Sequence, residues 1–295
     1  MARVNEIDQH TQRTCINNST VSDTASREPL VIGHRGASAL APENTIAAFE
    51  RALVDGADGL EFDVRLASDG VPVVIHDANL SRTAARAEEI ASLSSRALAR
   101  VPVGAWFNRR FPARARSEYA HECVPTLAQV CERFATRCAA LYVELKCTHA
   151  DAHALAAATV DVLRATPVAA RCVIVESFTL EAIAEIKRLA PELRTAALFE
   201  RTLRQPGPRK REIISRSLAH GADEIALQCS LATPRTVEAA RAAGLPTVVW
   251  TVDHPSWAQR ALSLGLRALI TNTPARLRAA LDASVVNRES SIVNE

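Results

Sequence analysis

From Leu30 onward the chain alternates short apolar runs with longer Ala-, Leu- and Arg-rich stretches of helical period. This is the pattern of parallel strands joined by crossover helices. Nine runs read as strands: LVIG (Leu30 to Gly33), LEFDV (Leu60 to Val64), VVIH (Val73 to His76), LYVEL (Leu141 to Leu145), CVIVES (Cys172 to Ser177), TAALF (Thr195 to Phe199), EIALQ (Glu224 to Gln228), TVVWTV (Thr247 to Val252) and ALIT (Ala268 to Thr271). One pair breaks the rhythm. Only Arg65 to Pro72 separate LEFDV from VVIH, fewer than the roughly ten residues a parallel crossover needs, so these two runs form a hairpin. Its turn reads as Asp69-Gly70, the dipeptide of two-residue type I′ turns, a register that sets Asp63 opposite His76. Eight parallel strands remain, and eight strand-helix units over this length predict an α/β fold, a (β/α)₈ TIM barrel with a small insertion after the second-strand hairpin.

The insertion spans about residues 78–123, where the regular pattern lapses and Gly104, Trp106 and Phe107 appear. Loops at the C-terminal ends of strands build the active sites of such barrels, so a segment rooted there is expected to shape substrate access. A surface subdomain without a role in access is the alternative reading. The barrel is expected over residues 29–283, with polar tails at 1–28 and 284–295.

Composition narrows the partners. A formal net charge of +2 with basic residues scattered along the chain gives no electrostatic footprint for nucleic acid or an anionic membrane, which favours a small-molecule partner. The seven cysteines are odd in number and form no CxxC pair, which argues against a disulfide framework or a thiolate zinc site and for a reducing cytoplasm. The first residues lack the apolar run of a secretory signal, and no stretch approaches the ~18 consecutive apolar residues of a membrane span.

Candidate chemistry collects at a few strand ends. Side chains alternate along a strand, so Glu61 and Asp63 project together, Glu144 and Lys146 share a face, and His76 joins from the hairpin arm. Carboxylates packed this closely repel one another and lose hydration, and a divalent cation compensates both; oxygen ligands without thiolates favour Mg²⁺, Mn²⁺ or Ca²⁺ over zinc. Salt bridges to Arg35, Arg65 and Lys146 would serve equally well. His34, after the first strand, and His76 suit general acid and base work near neutral pH, or hydrogen-bonded structural roles. Arg35 and Lys146 could hold a phosphoryl group, or Arg35 could pair with Glu43. In PENTIAAFERAL, Asn44 or Thr45 can cap a helix whose start Glu43 would stabilise.

In order along the chain stand GHRG, PENT, EFD, DG, VVIHD, the RT of Arg82 and Thr83, GAWF, VPTL, ELK, the SF of Ser177 and Phe178, VVWTVD and ALITNTP. This series resembles the glycerophosphodiester phosphodiesterase family from roughly Leu30 to Pro274. The resemblance implies metal-dependent hydrolysis of glycerophosphodiesters to glycerol 3-phosphate and an alcohol. It also implies one divalent ion on Glu61, Asp63 and Glu144, an acid/base pair of His34 and His76, phosphate contacts from Arg35 and Lys146, and a supporting Glu43. Phospholipase D-type hydrolysis of lysophospholipids at the same site is the alternative, needing an apolar channel that Trp106, Phe107, Phe111, Phe178 and Trp250 could line. A non-catalytic phosphodiester binder is a further one. Departures at Thr179 and Leu180, in the AARAEEI segment and in NTP fall in expected loops, where they bear on substrate choice.

Overall fold

A computed structural model describes residues 28–166, 172–201 and 207–293. Residues 1–27 of the expected N-terminal tail lie outside them. All nine expected runs are strands: β1 (Leu30–His34), β2 (Gly59–Leu66), β3 (Pro72–Val74), β4 (Ala140–Leu145), β5 (Val173–Ser177), β6 (Arg194–Phe199), β7 (Glu224–Gln228), β8 (Thr247–Trp250) and β9 (Ala268–Thr271). Every neighbour pairs in parallel except β3, and β1 pairs with both β9 and β2, so eight strands close into a TIM barrel with β3 appended to β2. Among the described residues, and apart from the short helices of the insertion, eight helices follow the parallel strands: α1 (Ile46–Val54), α2 (Leu127–Phe134), α3 (Ala152–Ala165), α4 (Leu180–Leu189), α5 (Lys210–Ala219), α6 (Pro234–Ala242), α7 (Trp257–Leu264) and α8 (Pro274–Val293).

Local sequence accounts for these boundaries. Thr45 caps α1 by accepting from the Ala48 amide, and Thr126 and Gln129 form a reciprocal capping box at the start of α2, satisfying amides that the helix itself leaves free. On α2 the apolar positions Leu127, Val130, Cys131 and Phe134 fall on one face and are buried. Strand parity then divides the core into two layers. Ile32, Tyr142, Ile174, Leu198, Val248 and Ile270 fill the barrel interior, whereas Phe62 points outward and packs on Phe49, which meets Phe134 edge to face. At the N-terminal end the interior is plugged by Glu224, 1 % exposed, which contacts Arg194 and accepts from the Tyr142 hydroxyl at 3.0 Å. The polar segment expected beyond residue 283 continues α8 to Val293, since no Gly or Pro interrupts it. Among the described residues no helix is long and apolar enough to cross a membrane.

The hairpin register differs from the sequence reading. Val64 faces Val74 and Arg65 faces Val73, so Asp63 lies opposite Ile75, whose amide donates to the Asp63 carbonyl, and not opposite His76. The connection is a three-residue loop, Ser68 to Gly70. Ala67 N–H donates to Val71 O, Gly70 N–H donates back to Ala67 O, and Gly70 alone takes a left-handed φ of 76°. A type I′ turn needs both central residues left-handed, whereas a type I turn closed by a left-handed glycine needs one. Asp69 is released from the left-handed role, and its carboxylate accepts from the Ser95 amide and hydroxyl, fastening the insertion to the turn.

β3 also occupies a vacancy. β1 pairs with β2 only from Gly59 to Glu61, and β3 takes the same edge at Val64 to Leu66, so the returning arm descends onto the mouth of the barrel. Facing it, the loop after β1 carries three left-handed residues, Arg35, Gly36 and Asn44. At Gly36 (φ 81°) an added Cβ would lie 2.5 Å from the carbonyl carbon and oxygen of Ala48; at Gly70 it would meet nothing within 4 Å. Gly36→Ala is therefore expected to cost about 2–4 kcal/mol and Gly70→Ala about 1 kcal/mol in urea unfolding. Equal losses in the two variants would contradict this account of the β1 loop.

Candidate active site

The C-terminal mouth holds a cavity of about 370 Å³ lined by His34, Arg35, Glu61, His76, Glu144, Lys146, Glu176, Phe178, Leu198, Glu200, Trp250 and Ile270. Asp63 lies buried behind this wall and Glu43 stands outside it. Glu61 and Asp63 share the inward face of β2, and Asp63, Glu144 and Glu176 stand level on the neighbouring strands β2, β4 and β5. Glu61, Asp63 and Glu144 each bring one carboxylate oxygen within 4.8 Å of the others. Lys146 Nζ lies 2.6 Å from Glu144 Oε1 and 3.2 Å from Asp63 Oδ1, yet neither oxygen receives a hydrogen bond of good geometry.

The charges are out of balance. Among the described residues of the cavity wall and the acid buried behind it, four buried carboxylates face two fixed cations, Arg35 and Lys146, and their titration follows from this. Burial and then the charges of Asp63 and Glu144 hold Glu61 well above the usual carboxylate range. Burial and then Asp63 push Glu144 up to about 7. Glu176 is raised by burial, then by Glu61 and Glu144. Asp63 goes the other way: burial would raise it, but Arg35 and Lys146 overcome that and keep it ionised. The oxygen donor set and the excess of carboxylates over fixed cations among the described residues together fit one hard divalent cation held by Glu61, Asp63 and Glu144. The competing salt-bridge reading holds in part, for Arg35 Nε lies 3.0 Å from Asp63 Oδ2 and Lys146 contacts two acids. Arg65 instead donates to the backbone carbonyls of His76 and Lys146.

Hydrogen bonds fix the histidines. Asn272 Nδ2 donates to Asp253 Oδ2 at 2.7 Å, and a carboxylate only accepts, so Asn272 presents Oδ1 to His34. His34 must therefore carry its proton on Nδ1, which donates at 2.7 Å, leaving Nε2 bare and 3.9 Å from Glu61 Oε2. Burial, then the neighbouring Arg35, lowers His34 to about 4. His76 Nδ1 donates to Asp77 Oδ1 at 2.7 Å; burial lowers this imidazole too, while Asp63 and Asp77 pull it back.

Arg82, from the insertion, donates to Asp77 at 2.6 Å and doubly to Glu43 at 2.8 Å, and Glu43 accepts from Arg35 at 2.9 Å. An ionic chain thus runs from His76 through Asp77, Arg82, Glu43 and Arg35 to Asp63. Asn44 is a positioning residue as well, since Thr45 supplies the helix cap while Asn44 donates to Asp63 Oδ2 at 2.8 Å.

Sequence reasoning missed Asn44, Asp77, Arg82, Glu176, Asp253 and Asn272 as site residues. Asn44, Asp77, Arg82, Asp253 and Asn272 stand in the PENT, VVIHD, RT, VVWTVD and ALITNTP stretches without a role that spacing could assign, whereas Glu176 carried a positional signal, because it shares the inward parity of Phe178 just beyond β5. The expected aromatic channel is corrected. Phe178 and Trp250 do line the cavity, edge to face at 5.6 Å, but Phe107 is fully buried against Ala41, Ala48 and Tyr119 with Trp106 and Phe111 beside it. None of the insertion's residues lines the cavity. These rings are spent on the packing that holds the insertion down.

The sequence profile described as the Glycerophosphoryl diester phosphodiesterase family matches residues 34–276. A glycerophosphodiester phosphodiesterase of Caldanaerobacter subterraneus subsp. tengcongensis is 30 % identical over 248 residues, which is 84 % of this chain and 96 % of that protein. One from Bacillus subtilis is 29 % identical over 251 residues, 83 % of this chain and 84 % of its own length. Among solved structures, an Oleispira antarctica phosphodiesterase in complex with the product sn-glycerol-3-phosphate superposes with a TM-score of 0.76 at 28 % identity, covering 86 % of this chain and 97 % of that one.

Glu144 makes the acidic cluster visible in stability. Its ordinary value is 4.5 and its folded value about 7, so between these the folded chain keeps a proton that the unfolded chain releases. The stability that this proton represents is complete below the ordinary value and is lost as pH rises toward 7. In the presence of a chelator the melting temperature is expected to fall from pH 5 to pH 7.5, and to fall less steeply in Glu144→Gln, where the protons held on Glu61 and Glu176 supply the remaining slope. Added Mg²⁺, Mn²⁺ or Ca²⁺ should raise the melting temperature more at pH 7.5 than at pH 5. Identical cation shifts at the two pH values would exclude Glu144 as a ligand.

Proposed function

The chain belongs to the glycerophosphoryl diester phosphodiesterase family, and from that premise we propose that it hydrolyses glycerophosphodiesters to glycerol 3-phosphate and an alcohol. The observation that carries the reading is the bare Nε2 of His34, held by Asn272 toward the cluster of Glu61, Asp63 and Glu144. Glu61, Asp63 and Glu144 would hold a divalent ion, which when bound would supply Lewis-acid polarisation of the phosphoryl group and offset its charge. Arg35 and Lys146 hold the phosphoryl oxygens, one as a fork and one as a point charge.

His34 then takes the proton of the attacking hydroxyl as the new O–P bond forms, because its Nε2 is unprotonated and its partner Asn272 is neutral. His76 gives a proton to the departing alcohol oxygen as the old P–O bond breaks. Its partner Asp77 is a carboxylate, which supports an imidazolium better than an amide does. Phe178 and Trp250 offer a wall for the carbon chain of the substrate. The cysteine pattern supports a cytoplasmic enzyme, and the low, scattered net charge supports a small-molecule substrate rather than nucleic acid or an anionic membrane.

Release of glycerol 3-phosphate from glycerophosphodiesters in Mg²⁺, Mn²⁺ or Ca²⁺, abolished by chelation, is the primary test. No turnover with any of these ions would leave only phosphodiester binding. His34→Ala and His76→Ala are each expected to lose about 10²–10⁴-fold in kcat with the fold intact by circular dichroism. A p-nitrophenyl leaving group needs no proton, so it should rescue His76→Ala and leave His34→Ala impaired. The reverse pattern would exchange the two roles.

A further inference from the structure

Neither the phosphate contacts nor the proton transfers use Glu176. It stands on β5 directly beside Glu144 on β4, is 1 % exposed, lines the cavity, and has an oxygen, Oε2, without a hydrogen-bond partner. Burying a carboxyl beside like charges and leaving one oxygen unmatched is costly, and such a group persists where a ligand completes it. A second orphan belongs to the same cavity wall: Trp250 Nε1, a buried donor with nothing to receive its proton. Phe178, Leu198 and Ile270 complete this side with apolar surface. A hydroxyl is the simplest group that both accepts from an indole N–H and donates to a carboxyl, and an apolar wall suits the carbon to which it is attached.

The position of Glu176 indicates which hydroxyl. Glu61, Asp63 and Glu144 form the close oxygen cluster and Glu176 does not join it, so Glu176 stands one strand further round the barrel than the groups that hold phosphorus. The glycerol moiety of a diester carries one hydroxyl next to the ester-bearing carbon and one at its far end. We infer that Glu176 is a specificity-determining residue that accepts a hydrogen bond from the terminal glycerol hydroxyl, with the Trp250 indole donating to the same polyol. The inference rests on the cavity being the diester site. It restricts the substrate class to diesters of polyols with a free terminal hydroxyl.

The test compares glycerophosphoethanolamine with the diester of propane-1,2-diol and phosphoethanolamine, which lacks only the terminal hydroxyl. The wild-type protein should favour the former by about 10–100-fold in kcat/KM, because the analogue leaves Glu176 unpaired. In Glu176→Met the loss should fall on the glycerol diester, bringing the ratio to about threefold or less, while Glu176→Gln, which still accepts a hydrogen bond, keeps most of it. Calorimetric Mg²⁺ and Ca²⁺ titrations report separately on any effect through the cation. No wild-type preference, an unchanged ratio in Glu176→Met, or equal losses on both diesters with weakened cation binding would each overturn the assignment. If the wild-type protein cleaves neither diester, the proposed hydrolysis fails. The inference is then decided by calorimetric binding of glycerol 3-phosphate against propane-1,2-diol 1-phosphate, where the same 10–100-fold ratio is expected and its absence overturns it.

Discussion

Four carboxylates, on Glu61, Asp63, Glu144 and Glu176, crowd one end of a closed barrel, and among the described residues that line the cavity Arg35 and Lys146 are the fixed positive charges beside them. Much of the architecture around the mouth follows from managing that repulsion. Asp63 remains ionised because Arg35, Lys146 and Asn44 converge on it, and the cost passes to its neighbours, which hold their protons more tightly. A single divalent ion would bring the cluster to charge neutrality, so the crowding that burdens the fold also makes a site fit for such a cation.

The same constraint explains why the two histidines are supported differently. His34 leans on the uncharged Asn272, which Asp253 holds in one orientation, and His76 leans on Asp77. A second carboxylate beside His34, at the side of Glu61, would add to the excess of negative charge. At His76 the extra acid is tolerated because Arg82 reaches from the insertion to neutralise it and binds Glu43 at the same time. The insertion therefore contributes through one guanidinium rather than by walling the cavity.

The barrel was legible in the sequence because each strand is an apolar run buried on both faces and each helix a separate periodic stretch. The primary acids and histidines were legible because strand alternation groups Glu61 with Asp63 and Glu144 with Lys146. The hairpin register was not, since Asp-Gly serves a two-residue turn and a three-residue loop alike, and only the left-handed state of Gly70 without Asp69 separates them. His76 reaches the site all the same, because β3 ends at Val74 and the chain then turns into the mouth. Asn44 and Thr45 read alike as helix caps, and only the fold gives that part to Thr45 and Asn44 to Asp63; Asn272 lies 238 positions from the histidine it orients, a separation no local pattern spans.

The anchoring of the insertion has a consequence for traffic. It is pinned to the turn through Asp69 and Ser95, to the β1 loop through Arg114 and the Ala39 carbonyl, and to the start of α1 through Glu122 and the Ala47 amide. These attachments all lie on the β1 to β3 side, whereas Phe178, Leu198, Glu200 and Trp250 border the cavity from β5, β6 and β8. Sequence variation at the ends of β5, β6 and β8, and not in the insertion, would therefore change what the cavity accepts.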